Sequence, residues 1–241
     1  MSAADRGNRR RLGAVVLAVL ISQVLLYPGV PGLVVALGAP AGIDAGMWFL
    51  VAEFAAFVSF AVAWGAASDA LGRRVPLIVV GAFGGAATYV ALAALPALGF
   101  GFEAALAVRV VGGALTIGAF SLAVTLLMDL GGGNGRNMGV AGLAIGLGAA
   151  VGSVGGGALA DANTFYPVYA GAAVLAGAGL LATTVDERTV ESAPNDADDG
   201  PDEVGFREVL ARARTTPGLA VPLAFGFVDR LTAGFFALVG V

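Results

Sequence analysis

Long apolar stretches, separated by charged residues, constrain this chain more than any other feature. A helix needs about 20 apolar residues to cross the hydrocarbon of a bilayer. Six stretches of this size follow one another, and a seventh begins after an acidic segment. The sequence therefore predicts transmembrane helices over residues 12–37, 47–67, 75–102, 104–128, 137–160, 162–185 and 219–241.

The composition supports helices in lipid rather than a soluble domain. Hydrophobic residues make up 58% of the chain and charged residues only 12%, about half the charge of an ordinary soluble domain. A membrane-spanning strand would alternate in polarity over about ten residues, and none of these stretches alternates. Glycine, with 38 residues, is useful where helices approach closely in lipid. We therefore predict an all-α polytopic membrane protein.

Several kinds of chemistry are excluded by what the sequence lacks. The chain contains no Cys and no His, and all 13 of its basic residues are Arg. Disulfides, Cys or His metal sites and a lysine Schiff base are therefore impossible. The sequence shows no nucleophile–base pair, phosphate-binding loop or basic groove for nucleic acid. We predict a protein that is not an enzyme, with no catalytic residue, metal, cofactor or nucleic-acid partner.

The distribution of arginines predicts the orientation, because loops on the cytoplasmic side accumulate basic residues. With the N-terminus inside, the outer loops contain Asp44, Glu103 and Asp161 and no arginine. We predict a multi-pass protein of the cell membrane with a cytoplasmic N-terminus. The arginines that then lie at inner ends or in inner loops are Arg6, Arg9, Arg10, Arg11, Arg73, Arg74, Arg136 and Arg188.

The predicted domains follow from these spans. Residues 1–11 form a cytoplasmic N-terminus, 12–185 a six-helix bundle, 186–217 a cytoplasmic loop and 218–241 the start of a seventh helix. Residues 186–208 hold nine carboxylates and two arginines, a net charge of −7. Residues 206–214 place apolar side chains at helical spacing beside arginines, which predicts a short helix on the membrane surface.

The inner turn between the second and third spans carries a recognisable motif. Gly72 permits a tight reversal, and Asp69 is placed to accept from Arg73 or Arg74. A plain positive-inside loop with one acidic residue is the simpler interpretation. The pattern nevertheless resembles the loop signature Gly-x-Leu-Ala-Asp-x-x-Gly-Arg-Lys of the major facilitator superfamily. Here it reads Gly65-Ala66-Ala67-Ser68-Asp69-Ala70-Leu71-Gly72-Arg73-Arg74.

Two further elements are similar to motifs of that family. Arg109 and Gly113 match the Arg-x-x-x-Gly element of its fourth helix. The glycine-rich row in the fifth span resembles an element of the family's antiporters, with Ser153 where the family has proline. Its glycines four residues apart present a smooth face for a neighbouring helix, although ordinary helix packing explains such a face as well. The row contains Gly148, Gly152, Ser153, Gly156 and Gly157.

The resemblance implies two six-helix bundles with a small-molecule site between them. The resemblance also implies that the loop from Gly65 to Arg74 is part of an inner gate. It implies that both this loop and the glycine face contact the second bundle. We expect a drug/proton antiporter whose partners are the lipid bilayer, the substrate and the proton. Because only six spans and the start of a seventh are present, we expect an N-terminal fragment that lacks its C-terminal half.

Four charged residues lie within predicted spans, where a charge costs about 3 kcal/mol or more. Glu53 and Arg109 lie at similar depth in the outer half, so we predict a pair beside a water-filled cavity, with Glu53 carrying the proton. A fixed structural ion pair is the alternative. Asp229 and Arg230 point about 100° apart on the seventh span, which predicts that one lines the cavity and the other meets a helix.

The first span contains Pro28 and Pro31, which predict a kink or local opening of that helix. Gln23 and Tyr27 lie nearby and are candidates to face substrate. The function that fits best is secondary transport, with proton-coupled efflux of a small hydrophobic solute. A non-transporting or split subunit that needs a second half is the alternative. A seven-helix receptor fits less well, because the N-terminus is predicted inside and no lysine is present.

Overall fold

The computed structural model describes residues 3–41 and 44–187. Within these ranges the chain forms helices and turns and no strand, which confirms the predicted all-α membrane fold. All of these residues belong to one compact unit. The α-helices in these ranges are α1 (Ala3–Val24), α2 (Val30–Ala36), α3 (Ala45–Leu71), α4 (Val75–Ala94), α5 (Phe102–Met128), α6 (Asn134–Ala162) and α7 (Tyr166–Ala182).

The first span is a broken helix. A 3₁₀ turn over Tyr27–Gly29 separates α1 from α2, at the place where the sequence predicts a kink. Pro28 and Pro31 each lack a backbone N–H, so neither can donate a hydrogen bond to the turn before it. The two helices and the turn together are long and apolar enough to cross a bilayer as one 33-residue span, Ala4–Ala36.

The helices begin and end at different residues from the predicted spans. Helix α1 begins at Ala3, well before the predicted start at residue 12. Helix α4 ends at Ala94 instead of continuing to residue 102, because a turn follows in which Gly99 has a φ of +73°. Within the described ranges five spans are long enough to cross a membrane, and α7, with 17 residues, is a shorter apolar helix.

Helix α1 lies at the centre of the bundle and packs against α5, α6 and α7. Helix α5 also contacts α3 and α4, and α4 contacts α7. Helix α6 packs mainly against α1, so it is an edge helix with much of its surface exposed. Exposed apolar side chains such as Val154 and Leu143 cover that surface, as expected of helices whose solvent is lipid.

The buried glycine face of α6 packs on α1. A Cβ placed on Gly156 would lie 2.3 Å from the carbonyl oxygen of Leu25, and one on Gly152 would lie 3.0 Å from that of Ile21. Gly148 makes a similar approach to Leu17. The expectation that this face meets a second bundle is therefore wrong, because α1 already occupies it.

The two ends of the described unit are tied together. The side-chain amide of Asn8 in α1 donates to the carbonyl of Asp186 at 2.8 Å, and its oxygen accepts from the N–H of Asp186 at 3.2 Å. Asn8 is 1% exposed. The first turns of α1 therefore belong to the folded bundle.

Five of the predictions made from the sequence lie outside the described residues. They concern Arg188, the acidic loop beyond residue 187, the surface helix at 206–214, the seventh span at 219–241, and Asp229 and Arg230 within that span.

Candidate functional site

The most deeply buried charges in the described residues are Glu53 on α3 and Arg109 on α5. Nη2 of Arg109 donates to Oε2 of Glu53, and the two groups form an ion pair. The side chains are 1% and 2% exposed. Each residue lies about two turns after the N-terminal end of its helix, which explains how residues 56 positions apart meet at one level of the bundle.

Aromatic rings enclose the arginine. The guanidinium carbon of Arg109 lies 4.6 Å from the centre of the Phe49 ring and 5.9 Å from that of Tyr89. A cation over an aromatic face is stabilised by the ring quadrupole, and more strongly where water is excluded. The Tyr89 hydroxyl donates to the carbonyl of Ser22 at 2.9 Å. The ion pair is thus connected to α1 and α4 as well as to its own two helices.

Gly113 allows the pair to form. It lies one turn after Arg109, and a Cβ at this position would be 2.3 Å from the carbonyl oxygen of Glu53. Any larger residue would push the backbone of α3 away from α5 and separate the two charges. The element Arg109-x-x-x-Gly113 therefore acts as one unit. The arginine binds the side chain of Glu53, and the glycine leaves room for the backbone carbonyl of Glu53.

The pair retains unused hydrogen-bonding capacity. Oε1 of Glu53 and Nε of Arg109 are both buried and have no hydrogen-bond partner among the described residues. A buried polar atom without a partner is uncommon in folded proteins and calls for an explanation. The pair is closed off within the described bundle and does not line an open cavity there.

Two shallow apolar grooves lie on the same two helices. One, of about 380 Å³, is lined by residues that include Trp48, Ser59 and Leu106. The other, of about 490 Å³, is lined by residues that include Trp64 and Leu115. Both have almost entirely apolar walls, so they suit aliphatic or aromatic groups rather than charged ones.

The turn between α3 and α4 has the predicted reversal but not the predicted ion pair. Gly72 ends α3 in the left-handed conformation, with a φ of +61°. Arg74 forms its ion pair with Asp129 at the end of α5. In the described part of the chain no ion pair joins Asp69 to Arg73 or Arg74, and Asp69 is exposed. The physical reason is that Asp69 is still inside the last turn of α3, whereas Arg74 lies beyond the reversal.

Glu187 also binds this turn, which the sequence did not indicate. Its carboxylate accepts from the backbone N–H of Arg74 and, at 3.4 Å, from that of Val75. These N–H groups begin α4, where the helix dipole favours a negative charge. Gly65, the first residue of the motif, makes a contact within α3, where its carbonyl accepts from the Ser68 hydroxyl at 2.8 Å. The only signal of the Glu187 contact in the sequence is the acidic character of the residues after the sixth predicted span, which by itself predicts a loop.

The other candidates have mostly packing contacts. Helix α6 continues unbroken through Ser153, which is exposed, and Gly157 lies near Pro28. Gln23 is buried, and Tyr27 stacks at a tilt on Phe54, with ring centres 6.1 Å apart.

These features define a class of protein, a polytopic helical membrane protein with a buried ion pair among its spans. Ionisable residues within membrane spans are typical of transport pathways. The chain belongs to the Major Facilitator Superfamily, whose family model matches residues 12–241. Members of this family are membrane transporters. No curated protein and no solved structure matches the chain.

Proposed function

We propose that this protein is a secondary active transporter that couples proton movement to the efflux of a small hydrophobic solute. The observation that supports this proposal most is the buried Glu53–Arg109 pair with Oε1 of Glu53 unpartnered. Oε1 offers a site for a proton while Oε2 remains on the arginine. The row from Gly148 to Gly157, which is similar to an antiporter element, supports efflux as the direction of transport.

The coupling step follows from charge balance. When Glu53 is ionised, it neutralises Arg109, and the pair is stable in a low-dielectric interior. When Glu53 binds a proton at Oε1, the ionic attraction between the two side chains is lost, a single positive charge remains, and only a weaker hydrogen bond from Arg109 to Oε2 is left. The pair then holds helices α3 and α5 together less strongly. A proton at Glu53 therefore biases the bundle between two arrangements.

The class of substrate is inferred from the grooves on α3 and α5. Their volumes, about 380 and 490 Å³, lie within the range of small-molecule sites. Trp48 and Trp64 provide large apolar contact surfaces there. A hydrophobic solute that enters from the lipid or the inner membrane surface matches these walls.

The architecture proposed for the transporter has two bundles. Carriers with this kind of internal repeat place the substrate site between two halves that rock against each other. The described residues make one bundle of five membrane-length spans and the shorter apolar helix α7, and we propose that a second six-helix bundle completes the transport path. The inner gate would then include Gly65, Asp69, Gly72, Arg73 and Arg74.

Replacing Glu53 with Gln is expected to abolish pH-dependent transport, because Gln keeps the shape of the side chain but cannot bind or release the proton. The measurement is movement of the uncharged hydrophobic dye Nile Red in everted membrane vesicles from cells that express the protein, with an imposed pH gradient. Glu103→Gln is the matched control, since Glu103 is an exposed glutamate near the outer end of α5.

The parent protein and Glu103→Gln are expected to show the same gradient-driven Nile Red signal. Loss of that signal only in Glu53→Gln supports coupling through Glu53. Unchanged pH dependence in Glu53→Gln would make the pair a fixed structural element and overturn the proposed coupling. No Nile Red movement in any variant would count against an uncharged hydrophobic substrate.

The proposed orientation in the cell membrane predicts a labelling pattern, and the absence of cysteine makes single-cysteine labelling direct. Leu71→Cys, at the inner turn, is expected to react with a membrane-impermeant maleimide only after the cells are permeabilised. Leu98→Cys, between α4 and α5, is expected to react in intact cells. The parent side chains are 61% and 65% exposed, so burial does not distinguish them. The reverse pattern would place the N-terminus outside.

A further inference from the structure

A buried polar cluster lies at the end of the bundle that carries the inner turn. It joins Arg9 in α1 to Asn137 in the first turn of α6. Arg9 is 5% exposed and Asn137 is fully buried. The proposed transport function uses neither residue, and nothing in the apolar pattern of the sequence indicates them.

Hydrogen bonds connect these residues across the loop between α5 and α6. Nε of Arg9 donates to Oδ1 of Asn137 at 2.7 Å, and Nη2 of Arg9 donates to the carbonyl of Gly131. The Asn137 amide in turn donates to the carbonyl of Leu130 at 2.7 Å. The side chain of Asn137 therefore spans the loop, and Arg9 holds both Asn137 and the loop backbone.

The loop itself is a run of three glycines, 131–133. Gly132 and Gly133 have φ values of +105° and +97°, which residues with a side chain rarely adopt. Glycine offers the backbone the widest range of conformations, so this segment bends at low cost once its hydrogen bonds are lost. Helix α6 packs mainly on α1 and has few contacts with α5 or α7.

We propose that Arg9 and Asn137 form a latch that fixes α6 across this glycine hinge. With the latch closed, α6 is fixed both along its glycine face and at its first turn. With the latch open, the first turns of α6 move about residues 131–133, while the glycine face stays on α1 and helices α3, α4 and α5 keep their positions. The proposal concerns the bundle alone and does not depend on the substrate or on proton coupling.

Hydrogen–deuterium exchange of the full chain in detergent tests the latch. In Arg9→Ala and Asn137→Ala, the backbone amides of residues 129–141 are expected to exchange about tenfold faster or more, as loss of a buried charge-assisted hydrogen bond implies. The amides of α3 and α4 are expected to keep their parental rates. Arg10→Ala is the matched control, because Arg10 is an exposed arginine next to Arg9.

Acceleration confined to residues 129–141 supports the latch. Parental rates in Arg9→Ala and Asn137→Ala, or an equal acceleration in every helix, would overturn it. Arg9→Lys serves if Arg9→Ala does not fold, since one ammonium group cannot occupy the positions of both Nε and Nη2. A smaller acceleration at the same amides is then expected, and parental rates in Arg9→Lys count against the latch.

Discussion

Replacing Arg109 with Met is expected to lower the free energy of unfolding of the bundle by about 3–5 kcal/mol, the usual effect of removing one partner from a buried ion pair. Methionine fills a similar space between Phe49 and Tyr89 but leaves the Glu53 carboxylate buried without a counter-charge. Thermal unfolding of the purified protein in detergent, followed by circular dichroism, measures the effect.

Two further variants separate the lost charge pair from a general effect of substitution. Arg73→Met removes an exposed arginine and is expected to change stability by less than about 0.5 kcal/mol. The double variant Glu53→Leu with Arg109→Met removes both charges together, and it is expected to recover most of the loss, because no unpaired charge remains. A double variant as unstable as Arg109→Met alone would show that the cost arises from packing.

The second large effect is expected at Gly156, where replacement by Ala should destabilise the contact of α6 with α1 by about 1–3 kcal/mol. The added methyl group would lie 2.3 Å from the carbonyl oxygen of Leu25. This neighbour is backbone, so it cannot change rotamer to make room, and the helices must separate.

Gly146→Ala is the control for this prediction. Gly146 is on the same helix, and a Cβ there would meet nothing within 4 Å. It is expected to be neutral or to stabilise the protein by up to about 1 kcal/mol, since alanine favours the helix more than glycine does. Equal unfolding temperatures for Gly156→Ala and Gly146→Ala would contradict the close contact between α1 and α6.

The helical fold could be predicted from the sequence because the physics of lipid acts on single segments. Each span must be apolar over about 20 residues whatever its neighbours are, so residues 104–128 predict α5 closely. The meeting of Glu53 and Arg109 could also be predicted, since two buried charges at one depth need a partner. Both inferences need only the position of a residue along its own helix.

Which helix lies against which face could not be predicted in the same way. The spacing of Gly148, Gly152 and Gly156 indicates a smooth face but does not identify its partner, and the structure places α1 there. The charge of Arg9 predicts a side chain in water, because arginine usually lies at the surface. In the structure it is buried and donates to the carbonyl of Gly131 and to the side-chain oxygen of Asn137.

The pairing of Asn8 with Asp186 has a consequence for topology. It brings the start of α1 beside the residues that follow α7, so the two ends of the described unit lie side by side. In a chain limited to this unit, a short peptide could join residues 3 and 187, and the chain could be reopened in the turn between α4 and α5, as circular permutation requires. In such a unit the order of the helices along the sequence could change while their arrangement in space stays the same.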